Sequence, residues 1–212
     1  MIPVEDGPVE GWSDRQRDVL EATLDLIVKG QRPLSMIAVA RSASCSKETL
    51  YRWFGDRDGL LTATVRWQAA KVRGIELPNG PIDRAFLEDA LTRFAKDWLR
   101  VLSGPTSVAL NRLAIAEAGS ETLDLGAIVL RNGPAEMARR IAPLFVAARA
   151  SGLVRYSDDG NAFSTFFGLV VGDLQIRLLL GDDSIGDIDL DRAAEQAAGR
   201  FMILYGSPTR GD

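Results

Sequence analysis

The residues most able to do chemistry in this chain lie between Ser46 and Trp53. They read Ser-Lys-Glu-Thr-Leu-Tyr-Arg-Trp. On a short helix, Leu50 and the following Phe54 fall one turn apart and can anchor one side. Lys47, Thr49 and Arg52 then point outward, with Tyr51 and Trp53 beside them as rings carrying polar handles. Cations, hydroxyls and amphipathic rings on one face suit a polyanion better than a reacting bond.

Catalysis has little else to draw on. The 212 residues include no histidine, which removes Ser-His-Asp and Cys-His mechanisms, histidine metal sites and imidazole shuttles. One cysteine, Cys45, allows no disulfide within one chain and no Cys-rich zinc site. It precedes a helix start, where a thiol pKa can fall, but a small core residue is the preferred reading. The acid pairs Asp158/Asp159 and Asp182/Asp183 sit in loops beside glycine, and neighbouring side chains point apart, so general acid/base geometry is missing. No enzyme, metal or cofactor is expected. A helical adaptor with no DNA role is the remaining alternative to a DNA-binding regulator, and salt-sensitive DNA binding separates them.

Charge is unevenly placed. Net charge is −4. Residues 14 to 74 hold eleven basic and seven acidic side chains, a balance of +4, and the remainder stands at −8. A basic segment on an acidic body fits a soluble protein with a polyanion-binding end. The N-terminus, MIPVEDGPVEG, lacks the order of a signal peptide. No apolar run reaches bilayer length, the longest being Phe163 to Val171. A cytoplasmic protein with no membrane partner is expected.

The elements that must position the polar helix are themselves helical. A first helix carries Val19, Ala22, Leu26 and Ile27, with Asp14 near its start and Gly30 past its end. Pro33 closes the connection. Ser35 caps a short second helix bearing Ile37, Ala38 and Arg41. Ser42 to Cys45 make a tight turn, Ser46 caps the third helix, and Gly55 ends it. A fourth helix starts near Asp56 and is expected to run to just before Leu77-Pro78-Asn79-Gly80-Pro81. Further helices are expected over 82–102, 106–118, about 123–130, 134–151, 160–180 and 189–205. Two short helices joined by a tight turn, behind a longer one, form a helix-turn-helix candidate.

The stretch LSMIAVARSASCSKETLYRWFGDRDGLL also resembles the head of the TetR/AcrR family of regulators. The matching positions are Ser35, Ile37-Ala38, Ala43, Ser46, Leu50-Tyr51, Trp53-Phe54, Arg57-Asp58 and Leu60-Leu61. Ser44 and Cys45 stand where that family usually has glycine and valine. Leu110 to Gly119 and Leu169 to Gly181 look like the C-terminal domain of an AefR-like branch. The resemblance implies an all-α fold: an N-terminal three-helix helix-turn-helix domain over 14–60, then a helical-bundle ligand and dimerisation domain over 61–206. Residues 1–13 are expected to be a disordered leader and 207–212 a tail.

What the resemblance implies for function is a repressor released from an inverted-repeat operator by a small effector. Ser35, Ser46, Tyr51 and Trp53 would meet phosphates of double-stranded DNA, with Ser44 in the turn beside them. Lys47, Thr49 and Arg52 would face base edges or nearby phosphates, and Arg57 would meet the backbone. Trp67, Phe94, Trp98, Leu113, Phe145, Phe166 and Phe167 would line an effector pocket. Phe163, Val170, Leu174, Leu178, Ala194, Ala197, Phe201 and Leu204 would form a homodimer interface.

Overall fold

A computed structural model describes residues 11–32, 34–118 and 125–208. The expectations for residues 1–10, Pro33, the start of the helix near Leu123 and residues 209–212 lie outside these. Eleven α-helices are described, and among the described residues the only strand-like feature is a bridge between Val154 and Gly206. The chain divides into two compact units, Met1–Ala70 with Pro105–Gly133 and Lys71–Gly104 with Pro134–Asp212. This spatial division does not follow a cut at 60/61: two later helices belong to the first unit.

The first unit contains α1 (Asp14–Val28), α2 (Met36–Ser42), α3 (Lys47–Phe54), α4 (Arg57–Ala69), α6 (Pro105–Ala116) and α7 (Leu125–Asn132). Ser13 and Gln16 start α1 with a reciprocal capping box: the Ser13 hydroxyl accepts from the Gln16 N–H, and the Gln16 side chain accepts from the Ser13 N–H. Val19, Leu20 and Ile27 of α1 share one core with Val39, Leu50, Phe54, Leu60 and Leu61. Leu110 and Leu113 of α6 and Leu125 and Ile128 of α7 complete it. A head of three short helices has too little apolar surface to bury alone, and α4, α6 and α7 supply the rest.

Helix α4 ends at Ala69, several residues before the expected break at Leu77. Between Ala69 and Gly74 the sequence offers no glycine or proline, so Ala69–Val72 reads as a continuation of the helix. The stop is tertiary: Val72 turns inward and is buried, and its carbonyl accepts from Arg140.

The second unit contains α5 (Arg84–Ser103), α8 (Pro134–Ala150), α9 (Asp159–Val171), α10 (Leu174–Leu180) and α11 (Leu190–Tyr205). Helix α5, capped by Asp83, packs against α8, α9, α10 and α11. Its core is aromatic: Phe145 stacks on Phe201 with ring centroids 5.3 Å apart, and Phe166 meets Phe201 edge-on at 5.4 Å. The helix expected over 160–180 is two helices bent by 50°. Gly172, at φ 50°, ends α9 in a conformation that side chains resist. No single described helix is long and apolar enough to cross a membrane.

One close approach ties α3 to α4. A Cβ on Gly59 would lie 1.9 Å from the backbone oxygen of Phe54, the last residue of α3. Gly59→Ala therefore forces the end of α3 outward, and an expected loss of about 1–3 kcal/mol follows from overpacking. Urea unfolding followed by tryptophan fluorescence checks this: an unmoved midpoint would show that the two helices separate freely.

Candidate nucleic-acid interface

The turn between α2 and α3 sets the direction of the exposed helix. Ser35 caps α2, its hydroxyl accepting from the Ala38 N–H at 3.2 Å. The chain then reverses through Ser44, which has a positive φ of 50°. That region favours glycine, and serine adopts it at a cost. The geometry is held from both sides: the Cys45 N–H donates to Ala40 at 3.0 Å, and Arg15 donates to the Ser44 carbonyl at 3.4 Å. Ser46 caps α3 by accepting from the Thr49 N–H at 3.1 Å, and its hydroxyl pairs with that of Thr49 at 3.0 Å.

Helix α3 buries Leu50 and Phe54 and turns Lys47, Glu48, Tyr51 and Arg52 to solvent. Thr49 is half-buried. Trp53 is half-buried too, edge-on to Phe54 with centroids 6.3 Å apart. The Lys47 ammonium sits 5.4 Å from the Tyr51 ring centroid, which aligns the two side chains on one face. Among the described residues neither Lys47 nor Arg52 has a carboxylate partner, and the same holds for exposed Arg41 at the end of α2. Arg41 joins the candidate set; its outward position beside the turn is the only sequence signal for it. A helix with its side chains is about 10–12 Å across, which the major groove, about 12 Å wide, admits.

One acid interrupts this cationic face. Glu48 lies in the first turn of α3, and its carboxyl is held below the usual range by backbone N–H donation at the helix start and by the Ser46 hydroxyl. Its negative charge sits beside the helix N-terminus that Ser46 caps. Burial pushes the Cys45 thiol up, against the opposing field of Arg15, and so favours the thiol over the thiolate form.

Arg57 is placed differently from its expected backbone contact. Its guanidinium is turned into the unit. Nε donates to the Leu34 carbonyl at 2.9 Å, and a terminal nitrogen reaches both Glu117 oxygens at 3.0 and 3.4 Å. Glu117 follows α6, sixty positions away, and no local spacing announces it.

The expected pocket residues fall in both units. Trp67 and Leu113 belong to the first. Trp67 stacks edge-on to Trp12 at 5.8 Å, and its indole Nε1 is buried without a hydrogen-bond partner. On the next residue, the Gln68 amide nitrogen donates to Ser107 at 3.0 Å while its Oε1 is buried and unpaired. Phe94, Trp98, Phe145, Phe166 and Phe167 belong to the second unit, where they pack on one another.

Most of the expected dimer stripe is interior. Val170, Leu174, Ala194, Ala197 and Phe201 are buried in the second unit itself, and Phe163 stacks on Trp98 at 6.1 Å. Leu178 is half-buried, and Leu204 is exposed. Periodicity found the inner face of each helix. The outer faces carry Ile176, Leu180, Ile203 and Leu204, with Leu180 and Ile203 both 83% exposed.

Two short helices about a tight turn, the second anchored by apolar side chains and offering an unpaired cationic face, define a helix-turn-helix DNA-binding protein. The comparisons agree. The model for the AefR-like transcriptional repressor C-terminal domain matches residues 89–207. A TetR transcriptional regulator from Agrobacterium tumefaciens is 42% identical, with a TM-score of 0.81 over 92% of this chain and 96% of that one. The flavonoid-responsive regulator FrrA is 25% identical, with a TM-score of 0.68 over 92% and 98%. A putative TetR-family regulator from Mesorhizobium loti, 24% identical with a TM-score of 0.68 over 91% and 97%, shares the fold. No curated protein matches the sequence. The chain belongs to the TetR family of transcriptional regulators, with a C-terminal domain of the AefR-like type. Proteins of this family bind operator DNA, act as dimers and bind small-molecule effectors, and they are generally not enzymes.

The two arginines of the head separate in one measurement. Arg52→Ala is expected to weaken DNA binding and to flatten the slope of log K against log salt by about one. Arg57→Ala, taken well below its melting temperature, is expected to lower head stability and leave that slope intact. Equal slope changes would return Arg57 to the DNA-contacting set.

Proposed function

We propose that this protein is a homodimeric repressor that reads an inverted repeat and leaves it when a small effector binds. The observation that carries the reading is the free face of α3: Lys47, Tyr51 and Arg52 exposed, with Leu50 and Phe54 fixing the helix from behind. Arg52 and Lys47 reach base edges, Ser35, Ser46, Tyr51 and Trp53 orient on phosphates, and Ser44 shapes the approach. A pull-down of genomic fragments followed by sequencing tests it. Enrichment of one inverted repeat supports the reading, and enrichment without sequence preference removes it.

The partner surface we assign is the outer apolar face of α10 and α11. Ile176, Leu180, Ile203 and Leu204 are 60–83% exposed, with no cover from their own unit. Two-fold pairing of that face buries them and sets two heads at a fixed spacing. Ile203→Glu with Leu204→Glu is expected to give a monomer in light scattering and to weaken operator binding at least tenfold. A double variant that remains dimeric would place the interface elsewhere.

For the effector, two orphan atoms in the first unit give the best support. The Trp67 indole N–H and the Gln68 carbonyl oxygen are a buried donor and a buried acceptor with nothing to satisfy them. An unmet buried polar atom costs roughly 1–3 kcal/mol. An aromatic ligand carrying several hydroxyls can accept from the indole N–H with one group and donate to the Gln68 oxygen with another. The flavonoid-responsive relative at 25% identity answers to ligands of that chemical kind. A panel of hydroxylated aromatics is expected to contain a compound that lowers operator affinity. Gln68→Leu is expected to abolish the response to that compound, read as an unshifted titration. An undiminished response would exclude this pair of atoms.

A further inference from the structure

The second unit also holds a cleft walled by arginines. The cleft, of 650 Å³, is lined by Arg84, Arg149 and Arg155 together with Ser151 and Ser207. Its floor is held by backbone pairing. The Arg155 N–H donates to Tyr205 and the Ser207 N–H to Leu153, both at 2.8 Å, around the Val154–Gly206 bridge. The start of α5 supplies Arg84, and the end of α8 supplies Arg149.

The charges in this cleft do not cancel. Arg84 donates to Glu88 at 2.9 Å and to the Ser207 carbonyl at 3.1 Å. Arg149 lies 3.0 Å from Asp159 Oδ1, yet that oxygen accepts no aligned hydrogen bond, so the contact is Coulombic and leaves guanidinium donors unspent. The same guanidinium sits over the Tyr156 ring at 5.8 Å, which fixes its plane. Arg155 is exposed and has no carboxylate partner among the described residues. Three cations therefore face two carboxylates. An independent observation points the same way: the Ser207 hydroxyl oxygen is buried with no hydrogen-bond partner. A buried hydroxyl that donates to nothing is an empty donor position beside a cationic wall.

We propose that this cleft binds a small oxyanion bearing two or more negative charges, of the phosphoryl or polycarboxylate class. Guanidinium groups bind such anions through paired N–H donors. The volume lies in the range of small-molecule sites and exceeds what a single phosphate fills. The anion bridges Arg149 and Arg155, takes the Ser207 hydroxyl, and uses the Arg84 donor that Glu88 and the Ser207 carbonyl leave free. Nothing in this site reads DNA, so its occupancy is measured on the protein alone.

The test is calorimetric titration of the full chain with pyrophosphate, with inorganic phosphate and with sodium chloride at matched ionic strength. Pyrophosphate is expected to bind saturably and more tightly than phosphate, and chloride to give no saturable heat. Arg155→Ala, whose side chain holds nothing else together, is expected to weaken pyrophosphate at least about tenfold, as loss of a charge-assisted bond does. Ser207→Ala is expected to weaken it less, with an unchanged melting temperature. Absence of saturable binding, equal affinity for phosphate and pyrophosphate, or an Arg155→Ala variant that binds like the original would each overturn the site. None of these results bears on operator binding, so the regulator reading stands or falls separately.

Discussion

The guanidinium of Arg57 joins three segments that sequence keeps far apart. It starts α4, reaches back to the Leu34 carbonyl ahead of α2, and meets Glu117 just past α6. The pair is about a quarter exposed, so its Coulomb energy is only partly screened. This knot fixes the start of α4 against the segment ahead of α2 and the end of α6. Asp56 caps α4 by accepting from the Gly59 N–H at 2.8 Å, and Gly59 allows the end of α3 to lie against the first turn of α4. Any movement of α4 is handed to α3 by contact.

The division into two units gives that knot its significance. The chain passes from one unit to the other after Ala70, after Gly104 and after Gly133. Three of the six helices in the first unit, α4, α6 and α7, are therefore continuous with the second unit along the backbone. Arg57 lies on α4 and Glu117 just past α6, so the head is tied to two of these three. A body that changes shape has covalent routes to the turn around Ser44 without any direct contact with DNA. Ser44 itself stores strain there, and strained turns persist where their surroundings over-determine them.

The parts of this arrangement that depend on near neighbours were legible in the sequence. Ser35, Ser46 and Gly55 mark helix ends through hydrogen bonds and dihedral freedom that act over three or four residues, and all three behave that way. Leu50 and Phe54 announce the buried side of α3 by spacing alone. What spacing could not supply was the far partner. Arg57 carries the same local signature whether it meets phosphate or Glu117. Val72 ends α4 by turning inward, and Gly172 breaks an apolar run that looks continuous. The expected dimer stripe falls mostly on buried side chains for a related reason. Helix α11 is apolar on two sides, and periodicity groups Leu204 with Ala194, Ala197 and Phe201 without saying which side faces its own core.

The charge on the reading face sets what the rest of the molecule must do. Helix α3 offers two unpaired cations, Lys47 and Arg52, with Arg41 nearby and the ionised Glu48 among them. A few phosphate contacts give affinity that is weak and steeply lost with salt. A single head on an acidic chain of net charge −4 is therefore expected to hold DNA poorly. Tethering two such heads converts the second encounter into an intramolecular one and multiplies the affinities. That gain exists only while both heads match the duplex pitch, so a small change in their spacing forfeits most of it. Under the proposed reading, weak individual heads are what effector release requires: a cationic surface strong enough to bind alone would not be released by moving its partner.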